Sequence, residues 1–194
     1  MKRRTLKHHR AQQGFSLIEV LVTLVILMLG LLGLVGLMVT SQRTQLESYQ
    51  RVQALVVAQD MVNRINANRK VADCYAITTA TDGTPYVGTG STVTPACTAG
   101  TTQQKGQAVA DMTQWHNLLL GSAEMTEGNN AGAMLGARGC VEEISAGEYR
   151  VSVVWQGVGK TVAPTGVNCG ANLYGDDAQR RAISLPVKIA DLAG

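Results

Sequence analysis

Residues 14 to 39 read GFSLIEVLVTLVILMLGLLGLVGLMV, an apolar run whose single charge is Glu19. At about 1.5 Å per residue, a helix over Phe15 to Val39 would be roughly 38 Å long, enough to cross a bilayer with some tilt. An ordinary cleavable secretory signal has a shorter apolar core and a small-residue cut site after it; this run is longer and leads into a second helical pattern. That pattern, TSQRTQLESYQRVQALVVAQDMVNRINANR, is polar and contains neither Gly nor Pro. In it Val52, Leu55, Ala58, Val62 and Ile65 recur at spacings of three and four, which predicts one apolar stripe with Arg51, Asp60 and Arg64 pointing elsewhere. The two patterns join into one helix of roughly 50 residues, whose second half needs a sheet or another helix to cover it.

The pattern then changes. Residues 73 to 105 are rich in Thr, Gly and Ala and read as loop with at most a short strand. In GQAVADMTQWHNLLLG, Val109, Met112, Trp115, Leu118 and Leu119 have helical spacing, closed by Gly121, and predict a second helix over 106 to 121. GCVEEISAGEYRVSVVWQG carries two strand signals around Ser145-Ala146-Gly147, with Tyr149, Val151, Val153 and Trp155 alternating on one face: a hairpin. In RAISLPVKIA, Ile183, Leu185, Val187 and Ile189 alternate, and Pro186 points to an edge strand or an irregular end. The expected fold class is α+β, a long N-terminal helix packed on a small antiparallel sheet of three or four strands.

Composition narrows this. Aromatic residues make up 4% of the 194 residues, with 21 Gly and 4 Pro, so the soluble part should be loop-rich with a small core, unlike a deep-pocket enzyme. The net charge of +3 is not spread evenly: Lys2, Arg3, Arg4, Lys7 and Arg10 precede Gly14 without an acid, which leaves the rest net acidic. A cationic segment directly before an apolar helix holds the N-terminus on the cytoplasmic side of a membrane. No aromatic or groove-reading helix accompanies it, so nucleic acid is not an expected partner.

An isolated Glu in a membrane costs something like 2.5 to 3.5 kcal/mol on insertion scales, so Glu19 needs a partner. A cut between Gly14 and Phe15 would supply one, a cationic α-amine about one helical turn away. The residues Gly14-Phe15-Ser16-Leu17-Ile18-Glu19-Val20 and the apolar segment after them resemble the class III signal of type IV pilins and type II secretion pseudopilins. The resemblance is specific for about the first 50 residues and weak beyond them. It implies cleavage after Gly14 by the prepilin peptidase, N-methylation of Phe15, and a mature chain first held in the inner membrane. It also implies that Glu19 is an assembly residue, neutralising an N-terminus in its own chain or a neighbouring one. Many major pilins have a helix-disrupting Pro in this helix; here Gly30, Gly33 and Gly36 stand in that neighbourhood. Each costs about 1 kcal/mol against Ala, making a soft spot, with a close-packing face as the alternative.

The resulting organisation is a basic leader over 1–14, a transmembrane and assembly helix over 15–39, its amphipathic continuation over 40–70, and a periplasmic head over 71–194. More weakly, the Asp111 to Trp115 helix and the Tyr149 to Trp155 strand resemble PilV-like minor pilins. Trp115 and Trp155 read as core anchors. Four cysteines in a head outside the cytoplasm read as two disulfides with three possible connectivities, Cys74 with Cys97 and Cys140 with Cys169 being favoured. No CxxC occurs, so no metal is expected.

No catalytic residue is expected either. His116 has no nucleophile motif beside it, the adjacent acids Glu142-Glu143 and Asp176-Asp177 would face opposite sides of a strand, and no phosphate-binding Gly motif is present, so no cofactor is implied. The function implied is that of a minor type IV pilin in a membrane-anchored complex that primes pilus assembly, supporting twitching motility and adhesion. Its partners would be other minor pilins, the major pilin, the prepilin peptidase and the inner-membrane assembly platform, with a possible place at the pilus tip. The rivals are a minor pseudopilin of type II secretion and a pilus-associated adhesin subunit. The adhesin needs an exposed basic or aromatic patch, for which Arg180-Arg181 is the only basic pair in the head.

Overall fold

The computed structural model describes residues 14–91, 93–122, 125–126, 129–130 and 134–190; the five leader cations lie outside them. Internal contacts divide the chain between Thr44 and Gln45. Helix α1, Leu17–Ala67, is 51 residues long and belongs to both units.

In the first unit the apolar side chains from Phe15 to Val39 are exposed, and the segment is long and apolar enough to cross a membrane. Its threonine hydroxyls are satisfied locally. Thr23 donates to the Val20 carbonyl at 2.8 Å and Thr40 to that of Gly36 at 3.0 Å. Such back-bonding lets a hydroxyl sit on an apolar helix without an outside partner.

In the second unit the buried face of α1 is Ala54, Val57, Ala58, Met61 and Ile65. This corrects the expected stripe: Ala58 and Ile65 belong to it, Val62 is only partly buried, and Val52 and Leu55 are exposed. Both sets have helical spacing, so periodicity alone could not separate them. The face used carries two alanines, which let neighbouring elements approach the helix closely, and Trp115 donates its indole N–H to the Val57 carbonyl at 2.9 Å.

After α1 a 3-10 segment, Arg69–Tyr75, kinks at Val71 and delivers Tyr75 to the core. A short strand, β1 (Val87–Gly88), follows, then α2 (Thr102–Leu119). Helix α2 starts four residues before the expected Gly106, because Thr101 and Gln104 form a reciprocal capping box. Such a box satisfies two N–H groups at the helix start. Met125–Thr126 (β2) and Asn129–Asn130 (β3) make a small separate ribbon.

The main sheet contains β4 (Arg138–Ser145), β5 (Glu148–Gln156) and β6 (Arg180–Lys188) in the order β1-β4-β5-β6, every pairing antiparallel. The β4–β5 hairpin turns at Ala146-Gly147, where Gly147 takes φ +74°, a conformation that favours glycine. Strand β6, which holds Pro186, is an edge strand. Ile189 lies just past its end but still donates its backbone N–H to Gly147 at 2.8 Å.

One face of the sheet presents Val141, Tyr149, Val151, Val153, Trp155 and Val187 to a core completed by α1, Tyr75 and the α2 residues Met112, Trp115 and Leu119. The other face is covered too. Cys140, Val154, Cys169 and Tyr174 form a second buried cluster beneath the aperiodic segment 157–179, so Ser152 and Val154 are as buried as their neighbours on β5.

A polar seam joins α1, α2 and the 3-10 segment. Asp111, 3% exposed, accepts from the Tyr75 hydroxyl at 2.6 Å, from Gln107 at 2.8 Å and from Arg64 at 3.0 Å. Arg64 also binds Asp60 at 2.6 Å and Gln114 at 2.7 Å. Asp60 and Arg64 lie off the buried apolar face of α1, as expected, and Arg64 spans from its own helix to α2.

Candidate processing and assembly site

Gly14, Phe15 and Ser16 are non-helical and exposed, and α1 begins immediately after them. The Ser16 carbonyl accepts the first helical bonds, from the Glu19 N–H at 3.0 Å and the Val20 N–H at 3.3 Å. Ser16 thus stands at the N-cap position, where a small hydroxyl residue is favoured. Glu19 falls in the first turn, where a carboxylate complements the partial positive charge of the helix end.

The Gly14–Phe15 bond therefore lies in exposed, non-helical chain, open to a peptidase. Phe15 is 84% exposed, and among the described residues no atom lies within 4 Å of where a Gly14 side chain would begin. Any restriction to glycine there has to come from the partner that binds the segment. A new α-amine on Phe15 would stand four residues ahead of Glu19, with opposite charge.

Gly30, Gly33 and Gly36 all lie within α1, which runs through them as helix, each with open space at its missing Cβ. The four cysteines are disulfide-bonded, Cys74 to Cys97 and Cys140 to Cys169, with Cα separations of 5.1 and 5.9 Å. The first ties the 3-10 segment to the loop ahead of α2, and the second ties β4 to the segment that covers it.

Apart from Glu143, the acids, the histidine and the basic pair of the head singled out in the sequence have structural partners. His116 is half-buried and accepts the Gly88 N–H on Nδ1 at 3.1 Å, joining α2 to β1. Glu142 is fully buried and ion-paired with Arg150, whose Nε donates at 2.8 Å, while Glu143 faces solvent. Asp176 and Asp177 are in a 3-10 turn, Asp177–Gln179, and its cap, not in a strand.

Arg180 is 2% exposed. It binds Asp177 at 2.7 Å and donates to the carbonyls of Val167 and Cys169. The Asp177 carboxyl is held below its ordinary range, chiefly by the Arg180 hydrogen bond. Arg181 reaches Glu47 at 3.1 Å. Arg180-Arg181 is thus a pair of internal ties and not an exposed basic patch. Trp115 and Trp155 are buried in the core.

Residues 9–35 match the family described as the prokaryotic N-terminal methylation motif, and the chain carries a type IV pilin-like class III signal. The motif implies a substrate of the prepilin peptidase and a membrane-anchored, pilin-like or pseudopilin-like protein that assembles with other pilins. No curated protein and no solved structure matches the chain. The family match ends at residue 35, so the head is read from its own residues.

Proposed function

We propose that this chain is a minor type IV pilin of the PilV-like kind. In this reading the prepilin peptidase cuts between Gly14 and Phe15 and Phe15 is N-methylated. The apolar part of α1 then holds the mature chain in the inner membrane as a single pass, with the head in the periplasm. Glu19 meets a cationic N-terminus during recruitment into a small complex of minor pilins. That complex primes addition of the major pilin by the assembly platform, supporting twitching motility and adhesion.

The observation that supports the reading best is the exposed Gly14-Phe15-Ser16 segment directly before α1, with Glu19 in the first turn. A disulfide-stapled α+β head on the same helix suits an extracytoplasmic subunit. Three charged groups of that head, Asp111, Glu142 and Arg180, are buried in ion pairs.

The test is the amount of pilin sheared from the surface of a strain lacking the gene, beside its complemented parent. A severe, restorable loss supports the priming role. A normal yield rejects it and moves the reading to a pseudopilin or an accessory adhesin.

A further inference from the structure

Between the end of α1 and the first turns of α2 lies a cleft of about 620 Å³, lined by Asn63, Arg64, Ala67, Asn68, Gln103, Gln104, Gln107 and Asp111. Five of these eight are amides, and the fold fixes three of them by one end. Asn68 spends Nδ2 on the Tyr75 hydroxyl at 3.2 Å and the Gln104 carbonyl at 3.0 Å, which presents its Oδ1. Gln107 spends Nε2 on Asp111 at 2.8 Å, which presents its Oε1. Gln104 spends Oε1 in the capping box, accepting the Thr101 N–H at 2.9 Å, which presents its Nε2. The outcome is a preorganised set of two acceptors and one donor, with the exposed amides of Asn63 and Gln103 beside it.

We infer that this cleft is a binding site for a short neutral saccharide. A hydroxyl is donor and acceptor at once, so a row of sugar hydroxyls can answer acceptors and donors in alternation. A volume of this size falls in the range of small-ligand sites, and polar groups already fixed by the fold lose little freedom when a ligand arrives. Other ligands fit less well. An anion would meet Asp111, and the cation beside it, Arg64, is already shared between Asp60 and Asp111. A peptide would need apolar pockets for its side chains, and Ala67 is the one apolar residue of the lining. The inference rests on residues of the second unit alone and stands whether or not the chain primes pilus assembly.

The experiment uses the full chain in a non-glycosidic zwitterionic detergent, with lactose, maltotriose and triacetylchitotriose as probes. Binding is read by saturation-transfer NMR and by titration. Binding of at least one probe, weakened at least tenfold by Gln107→Ala and also weakened by Asn63→Leu, is expected. Asn63 is an exposed helical position, so that variant decides the matter if Gln107→Ala fails to fold. No binding of any probe, or binding equal to wild type in the folded variants, overturns the inference.

Discussion

The Tyr75 hydroxyl donates to Asp111 Oδ2 at 2.6 Å, across 36 positions of sequence and inside the head. Arg64 and Gln107 converge on the other oxygen of the same carboxylate, at 3.0 and 2.8 Å. One side chain of α2 thereby holds α1 and the 3-10 segment together. Asp111→Ala would leave Arg64 with Asp60 and Gln114 alone, and the Tyr75 hydroxyl without its acceptor. A loss of about 2–4 kcal/mol follows from leaving such groups buried without this partner. It is measured as a lowered denaturation midpoint of the detergent-solubilised chain. A midpoint within error of wild type would mean the seam contributes nothing.

Alkaline pH acts on the same contact. Burial, and then the Asp111 hydrogen bond, push the Tyr75 hydroxyl well above the ordinary tyrosine range. The folded state therefore holds this proton more tightly than the unfolded chain does. The stability it contributes is fully present below the unfolded value of roughly 10 and is lost as pH rises from there toward the folded value. Tyr149 and Tyr174 are raised by burial as well, so wild type should destabilise steeply in alkali. Tyr75→Phe should reduce that slope, read from thermal midpoints across the alkaline range. An unchanged slope would exclude Tyr75 as a contributor.

Strand β4 passes close under α2. A Cβ on Gly139 would clash with Trp115 Cη2 and lie 2.6 Å from Trp115 Cζ3 and 2.7 Å from Leu119 Cδ1. The indole cannot swing away cheaply, because its N–H is bonded to the Val57 carbonyl at 2.9 Å. Gly139→Ala should cost about 1–3 kcal/mol through overpacking, whereas Gly106→Ala, with open space around it on an exposed turn of α2, should be neutral or stabilising. Paired melting curves of the two variants check the contrast, and equal effects would refute it.

These contacts also mark how far the sequence could be read. The long helix and the β4–β5 hairpin were legible because their signals are local: an uninterrupted helical stretch, and alternation around Ala146-Gly147. The class III signal was legible for the same reason. The start of α2 had a readable cue in Thr101 and Gln104, three apart, but the apolar period does not extend back to them. Asp111 and Arg64 were not legible, since a polar residue on a buried face makes sense only through partners distant in sequence. The second covered face of β5 was hidden because its cover, 157–179, has no period and is held by a disulfide and Arg180.

The proposed cut makes its own demand on Gly14. Among the described residues nothing lies within 4 Å of the position a side chain would take there, so Gly14→Val should leave the fold of the head unchanged. The peptidase must then be what discriminates. Expected is a full-length precursor on immunoblots in place of the shorter mature band, with the variant still in the membrane fraction. A mature-sized band in normal amount would remove the leader boundary from this bond.

The proposed role of Glu19 separates cutting from assembly. It stands in the first turn of α1, beyond the Gly14–Phe15 bond and exposed on the helix. Removing its carboxylate takes nothing from the scissile segment but leaves a cationic N-terminus unanswered where water is scarce, and insertion scales put an isolated charge at the centre of a membrane helix at about 2.5–3.5 kcal/mol. Glu19→Ala should therefore be cut as wild type is and reach the membrane, yet recover much less of the other minor pilins when captured from detergent extracts. Glu19→Gln should behave like Ala if charge is what matters, and like wild type if a hydrogen bond suffices. Recovery equal to wild type in both variants would sink the assembly role, while loss of cleavage in either would move Glu19 into the peptidase recognition segment.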